Sequence, residues 1–368
     1  MSITAVLTSA AAGLMLRQLS RLVSLSAIVL AASHQVTSAP RSQQGPDAAA
    51  LREAFLKVID RPRVPLDAAV KAGAEEGPLA SETISFASEA GGRVPALLFK
   101  RRGSSSGQPV VIVLHGTGGS KEGMIARLRA AASRGFVAVA IDGRYHGERG
   151  ARREAGLPAY QAAILRAWRT GTEHPFLYDT VWDVMRLIDY LETRSDVDRQ
   201  RIGLTGISKG GMETYLAAAV DPRIAVAVPM IGVQSFGWAL DHGAWDSRAW
   251  TLREALTEAA ADAGGNVDAS FMRKFYDRVA PGLRDRFDGP AMLPLIAPRP
   301  LLVINGDSDP RTPVGGVRQC MAAAEKAYQA QGAADRVRLH LQPDAGHQVT
   351  APADQAAMSW FERWLKPS

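Results

Sequence analysis

Short apolar runs bounded by Gly, Asp or Pro recur along the chain: PVVIVLHG at 109–116, GFVAVAIDG at 135–143, RIGLTGIS at 201–208, RIAVAVPMIG at 223–232 and RPLLVING at 299–306. They are rich in β-branched residues and lack polar alternation, the pattern of strands buried on both faces. Between them lie stretches with helical spacing, at 121–134, 180–194 and 313–332. Strands alternating with helices predict an α/β fold, a mostly parallel central sheet with helices on both faces. Ahead of this series, ETISFAS at 82–88 and RVPALLFK at 93–100 flank the turn EAGG and read as an antiparallel hairpin. VRLHLQ at 337–342 supplies a last strand. At the front, Leu51, Phe55, Leu56 and Ile59 fall on one helical face of 47–60, behind a Pro/Gln/Ser/Gly-rich linker at 40–46.

One interval breaks the alternation. Residues 233–298 hold no comparable strand, carry Trp238, Trp245 and Trp250, and show helical spacing in SRAWTLREALTEAAADA and ASFMRKFYDRVA. A helical insertion between two core strands lies over the carboxyl edge of the sheet, where open α/β folds bind ligands, so this interval reads as a lid. The expected organisation is an export segment at 1–39, a linker and N-terminal helical extension at 40–81, and one α/β domain at 82–368 carrying the lid.

The export reading rests on Arg17 and Arg21 preceding the apolar run LVSLSAIVLAA at 22–32, followed by small residues at Thr37 and Ala39. That run is too short to span a bilayer, so no stable membrane insertion is expected after cleavage. Met15 is an alternative start that would place the arginines in a conventional position, and an uncleaved N-terminal anchor is the competing reading. The formal charge of +6 falls to +4 without residues 1–39. No basic block exceeds Lys100-Arg101-Arg102, and aromatics are not interleaved with basic residues, so no nucleic-acid partner is expected. The sole cysteine, Cys320, excludes an intrachain disulfide and reads as a packed helix residue. Oligomeric state is not legible.

G-x-S-x-G occurs twice, as GSSSG at 103–107 and as GISKG at 206–210. A nucleophile elbow needs a strand ending at the serine and a helix starting after it, which lifts the hydroxyl above the sheet edge. Ser105 fails, because it sits in a loop between two strands. Ser208 passes: RIGLTG is a strand and KGGMETYLAAAV has helical spacing. A serine needs a base, and the base an orienting acid. His347, in DAGHQVT beyond the last strand, is the candidate base; His34, His174 and His340 have blander readings. For the acid, Asp309 in NGDSDPRTP is favoured over Asp307, since a turn aspartate commonly bonds its own backbone. The loop HGTGGSKEG at 115–123 follows a strand and precedes a helix, so the backbone N–H of Thr117, with that of Lys209, is the expected oxyanion site. His115 is expected beside the substrate, bracing that loop.

With these residues in hand, the chain resembles a serine hydrolase of the α/β-hydrolase superfamily. The order Ser208, Asp309, His347 matches the family order. HGTGG resembles the family's oxyanion loop, IDGRYHGERG at 141–150 the loop after the next strand, and GDSDPRTP the acid turn. The elbow and hairpin look most like the catalytic domain of prolyl-oligopeptidase-type enzymes and the related acetyl esterases. Two departures matter: the short stretch before the hairpin cannot build the propeller of prolyl oligopeptidases, and dienelactone hydrolases use cysteine where this elbow has Ser208. The resemblance implies a two-step acyl transfer on a small-molecule carboxylic ester, with no cofactor and no metal. A short-peptide peptidase and a non-catalytic binding protein on the same fold remain alternatives. Substrate choice is expected in the lid and around Arg144, Tyr145 and His146, with Trp238 also substrate-adjacent. Arginines in these regions are candidates for an anionic or sugar-bearing substrate, against solvated salt bridges. The Lys209 side chain is expected to bind a substrate carboxylate or to pair with Glu213, one helical turn on.

Overall fold

The computed structural model describes residues 46–103, 106–150 and 157–366, all within a unit spanning 43–368. The export segment, most of the linker and Ser105 lie outside the described residues. Strands β1 (Ala69–Glu76), β2 (Leu79–Glu89), β3 (Gly92–Arg101), β4 (Gln108–Leu114), β5 (Val137–Ile141), β6 (Val197–Ile207), β7 (Ile224–Met230), β8 (Leu301–Gly306) and β9 (Val337–Gln342) form one sheet. Its order is β1-β2-β3-β5-β4-β6-β7-β8-β9. The first three strands are antiparallel, and β3 pairs antiparallel with β5; β5, β4, β6, β7, β8 and β9 run parallel.

The unbroken apolar runs are explained by two cores. Val110, Ile112 and Leu114 of β4 face one core with Phe55 and Ile59 of α1 (Pro46–Ile59), while Val111 and Val113 face the other. That second core holds Leu128 of α2 (Ile125–Ser133) and Phe361 of the C-terminal helix. Each such fully buried side chain contributes about 1.5–3 kcal/mol, so a polar residue at either parity would be costly.

Sequence and structure differ at the front. Residues 69–76, expected within the linker and helical extension, form β1, an edge strand paired with β2. Its residues 69–73 are exposed, so AVKAGAEE carries no core-facing apolar pattern to announce it. The helix α3 (Leu157–Thr170) precedes α4 (Tyr178–Leu191), and α5 (Lys209–Val220) starts directly at the end of the elbow.

The insertion between β7 and β8 is helical: α6 (Phe236–Asp241), a 3₁₀ turn at Ala249–Leu252, α7 (Arg253–Asp262), α8 (Ala269–Val279) and α9 (Gly289–Met292). It is pinned at several points. The Asp288 carboxylate accepts from the N–H groups of Phe236 at 2.8 Å and Gly237 at 3.0 Å, holding the start of α6. Gln161 of α3 accepts from Glu254 N and Ala255 N, satisfying two orphan donors at the start of α7. Phe236, Tyr276 and Phe176 pack edge to face and stacked beneath it. Two further helices follow, α10 (Val314–Ala330), where Cys320 is buried, and α11 (Ala351–Leu365).

Candidate active site

Because β4, β6, β8 and β9 are parallel, the loops after them share one edge of the sheet. The strand order reverses around β4, which has β5 on one side and β6 on the other. Such a switch point opens a crevice at the carboxyl ends. Ser208 stands at the end of β6 beside it, with φ 56° and ψ −112°. A non-glycine residue in that region stores about 1–3 kcal/mol of backbone strain. The turn closes only because Gly206 and Gly210 face each other: a Cβ on Gly206 would lie 2.4 Å from Gly210 O, and one on Gly210 would lie 2.6 Å from Leu114 O.

Ser208 Oγ lies 2.8 Å from His347 Nε2, and His347 Nδ1 lies 2.8 Å from Asp309 Oδ2. Nδ1–H therefore donates to the carboxylate, and Nε2 is left to accept the serine proton. Asp309 is buried and fully occupied: Oδ1 accepts from Arg311 N at 2.8 Å and Thr312 N at 3.2 Å, and Thr312 Oγ1 donates to Oδ2. Burial alone would raise its pKa, but the bonds from His347 and Thr312 outweigh that and hold it below the ordinary carboxylate value. Burial lowers His347, and the charges of Arg248 and Arg311 add to that against the opposing pull of Asp309, so the imidazole is neutral at neutral pH. A neutral base with a fixed tautomer can remove the hydroxyl proton. Asp307, the rival acid, is exposed and does not bond His347; it accepts from Ser308 Oγ in its own turn and from Asp344 N and Ala345 N in the loop that carries His347.

Opposite the serine, Gly116 approaches so closely that a Cβ there would lie 3.6 Å from Ser208 Cβ. The N–H of Thr117 has no acceptor among the described residues, and that of Lys209, first in α5, has no helical partner four residues back. The His115 ring braces this loop: Nδ1–H donates to Gly116 O at 2.8 Å, and Nε2 accepts from Gly143 N at 3.0 Å. Burial, aided by the Lys209 charge, lowers its pKa to about 4.

Two cavities open on Ser208. The inner one is lined by Thr117, Phe176, Arg248, Trp250 and Arg311 among others, and offers about 10 Å³ of water-sized volume. That is room for no more than a single water molecule. The outer, lined by Thr117, His347, Arg127 and Arg311 among others, offers about 320 Å³. Neither is lined by His115, Arg144, Tyr145, His146 or Trp238, so the structure does not bring these expected substrate-adjacent residues into either cavity. Arg144 is neither substrate-facing nor in a solvated pair. It grips the buried Asp183 with Nε at 2.8 Å and Nη2 at 3.0 Å, and also pairs with Glu89, tying the hairpin to α4. Tyr145 donates to Glu173 at 2.7 Å. His146 is buried between His115 and Tyr160, and burial drives its pKa to about 2. Trp238 stacks on His242 and covers Gly315. The Lys209 ammonium is buried against Glu213 instead of facing the cavities.

Arg248 and Arg311 line the inner cavity and were not singled out from sequence, and Trp250, noted only among the tryptophans of the insertion, lines it with them. Arg311 sits inside the acid turn GDSDPRTP, so its place two residues after Asp309 was a usable signal. Arg248 lay in an insertion whose helices carry no motif. Among the described residues no group of three or more His, Cys, Asp or Glu side chains is placed to hold a metal ion.

Comparison with known proteins agrees with this architecture. The family described as acetyl xylan esterase (AXE1) matches residues 78–235, and the family described as glucuronyl esterase, fungi, matches residues 164–332. The hydrolase YtaP of Bacillus subtilis is 32% identical over 185 residues, covering 50% of this chain and 53% of that protein. The 4-O-methyl-glucuronoyl methylesterase of Hypocrea jecorina is 29% identical over 191 residues, covering 49% of this chain and 35% of that protein. The chain thus spans about half or less of the length of these curated relatives. The solved structure of acetyl xylan esterase 1 from Thermoanaerobacterium sp. superposes with a TM-score of 0.62 at 18% identity, over 87% of this chain and 94% of that one.

Proposed function

We propose that this chain, whose fold is that of the α/β-hydrolases, is a serine hydrolase that cleaves small carboxylic esters through an acyl-enzyme on Ser208. The observation that carries the reading is the hydrogen-bonded series Ser208–His347–Asp309, both links 2.8 Å. His347 takes the Ser208 proton as Oγ attacks the ester carbonyl. Asp309 holds the Nδ1–H tautomer and stabilises the imidazolium that forms. The N–H groups of Thr117 and Lys209 donate to the oxyanion, each such donor being worth about 3–4 kcal/mol in related sites. His347 then protonates the departing alcohol, and a water activated by the same imidazole releases the acid. The matched families, both esterase families, support an ester over an amide.

The outer cavity has the room for the substrate, and the inner one extends from it past Ser208. Residues 1–39 act as the export signal in this reading, and the N-terminus of the secreted protein tests it: a start upstream of Thr37 would contradict cleavage there. For the activity, the test is a panel of acyl esters of increasing chain length, acetylated sugars and aminoacyl amides, run with wild type and Ser208→Ala. Ester turnover lost in the variant supports the proposal; equal rates would overturn it, and faster amide than ester turnover would reassign it to peptide chemistry.

A further inference from the structure

Among the described residues, several arginines with limited exposure are neutralised by carboxylates, and Arg299 and Arg52, which are not, are spent on backbone carbonyls. Arg144 and Arg149 share Asp183, Arg186 and Arg223 share Asp189, and Arg127 at the outer cavity is held by both oxygens of Asp354 at 3.0 and 2.9 Å. Arg248 and Arg311 depart from this. Arg248 is 6% exposed, and its only partners are neutral: Nε donates to Gln234 Oε1 at 2.7 Å and Nη2 weakly to Gly232 O at 3.4 Å. Its Nη1 makes no hydrogen bond among the described residues, and Arg248 lines the inner cavity beside Ser208. The Arg311 side chain lines both cavities and has no carboxylate within ion-pair reach among the described residues.

Burying a guanidinium without a counter-charge is costly, and a site that holds one open toward a cavity is arranged for a charge that arrives with a ligand. The one carboxylate nearby cannot serve. Asp309 is already committed to His347, Thr312 and the backbone of Arg311. Two guanidinium charges against one carboxylate leave the site with an excess positive charge while Ser208 and His347 are neutral. Burial lowers the pKa of Arg248 only to about 10, so it stays protonated at neutral pH. Its anchoring is rigid: Gln234, which holds Nε, is itself bonded to Ser247 Oγ at 3.1 Å, fixing the fork toward the cavity.

We propose that the ester this enzyme turns over carries a free carboxylate, bound by Arg248 and Arg311 beside Ser208. A planar guanidinium fork matches a carboxylate through parallel charge-assisted bonds, which a neutral group of the same size cannot make. Arg248 lines the inner cavity and Arg311 lines both, so the carboxylate docks against this shared wall beside Ser208. It reaches the site either on the acyl side, as the monoester of a dicarboxylic acid, or on the alcohol side, as an ester of an acidic sugar.

This inference rests on the ester-hydrolase reading, and the experiment separates the two. kcat/KM is measured for matched pairs: the para-nitrophenyl monoester of glutaric acid against para-nitrophenyl valerate, and an O-acetylated uronic acid against the corresponding neutral acetyl sugar. The expected result is an anionic preference of at least about tenfold in one pair, the equivalent of one charge-assisted hydrogen bond. That preference should fall about tenfold in Arg311→Gln and in Arg248→Gln, mostly through KM, and be partly kept in Arg311→Lys. Arg311 is only part-buried, so its variants carry the test if Arg248→Gln fails to fold. Neutral esters turned over as well as anionic ones in both pairs, or a preference unchanged in both glutamine variants, would overturn the inference while ester hydrolysis stands. Neutral-ester turnover that persists in Ser208→Ala would instead remove the reading beneath it.

Discussion

Directly behind the elbow, Lys209 and Glu213 form an ion pair whose side chains are 1% and 2% exposed. The ammonium also lies 5.5 Å from the centre of the Tyr160 ring, and both residues are buried. Removing one partner leaves the other buried alone, at a cost of about 3–5 kcal/mol, whereas replacing both by neutral groups of similar volume is close to neutral. Lys209→Met should therefore destabilise the protein by about 3 kcal/mol or more, and Glu213→Gln likewise. The double variant should lie within about 1 kcal/mol of wild type, a coupling of several kcal/mol. The single variants also differ in pH dependence. Burial already raises the Glu213 pKa above its ordinary 4.5, held down in part by Lys209, so Lys209→Met lets it climb further. The folded state then binds more protons than the unfolded one, so this variant loses stability as pH rises from about 4.5 through the folded pKa. Urea unfolding of the four proteins at several pH values measures both effects. Additive single and double effects, with coupling below about 0.5 kcal/mol, would refute the idea that the two charges hold each other in place.

Further outcomes follow from the same geometry. Ser208→Gly should unfold at higher denaturant than Ser208→Ala, by about 1 kcal/mol in stability, because glycine relieves the positive-φ strain that alanine keeps. Asp309→Asn should lower kcat by about four orders of magnitude with little change in KM, since the amide favours the wrong tautomer of His347. The acid limb of kcat/KM should lie below pH 6.5, because His347 is held below that ordinary value. Stability should also fall below pH 6.5: the unfolded chain protonates His115 there, while the folded state resists until about 4. That group alone accounts for about 3 kcal/mol by pH 4, and unfolding midpoints across that range test it.

Most of the architecture was written in local patterns. Strands such as PVVIVL are apolar at every position because both faces meet a core, and that signal survives in the sequence alone. β1 escaped because it is an exposed edge strand with no buried face to impose a period. The elbow was legible because Ser208 needs a strand before it, a helix after it and glycines where backbones touch. The lid was legible as an interval, but the residue in it that matters, Arg248, is placed by the Gln234 side chain of the same insertion, a contact that no periodicity or motif announces. The loop after β5 misled for the opposite reason. Arg144 and His146 look like site residues in a short motif, but Asp183 and Glu89, remote in sequence, turn Arg144 into a cross-link, and burial leaves His146 without charge.

The central claim is that Ser208 becomes acylated, and trapping the acyl-enzyme tests it most directly. Wild-type protein is mixed with a fluorophosphonate or quenched during ester turnover, digested with trypsin and read by mass spectrometry. Cleavage after Arg201 and Lys209 releases residues 202–209, which contain Ser208 as the only serine. The account predicts one adduct on that peptide, absent in Ser208→Ala and strongly reduced in His347→Gln. An adduct on another peptide, such as the one bearing Ser105, or ester turnover with no adduct at all, would contradict it.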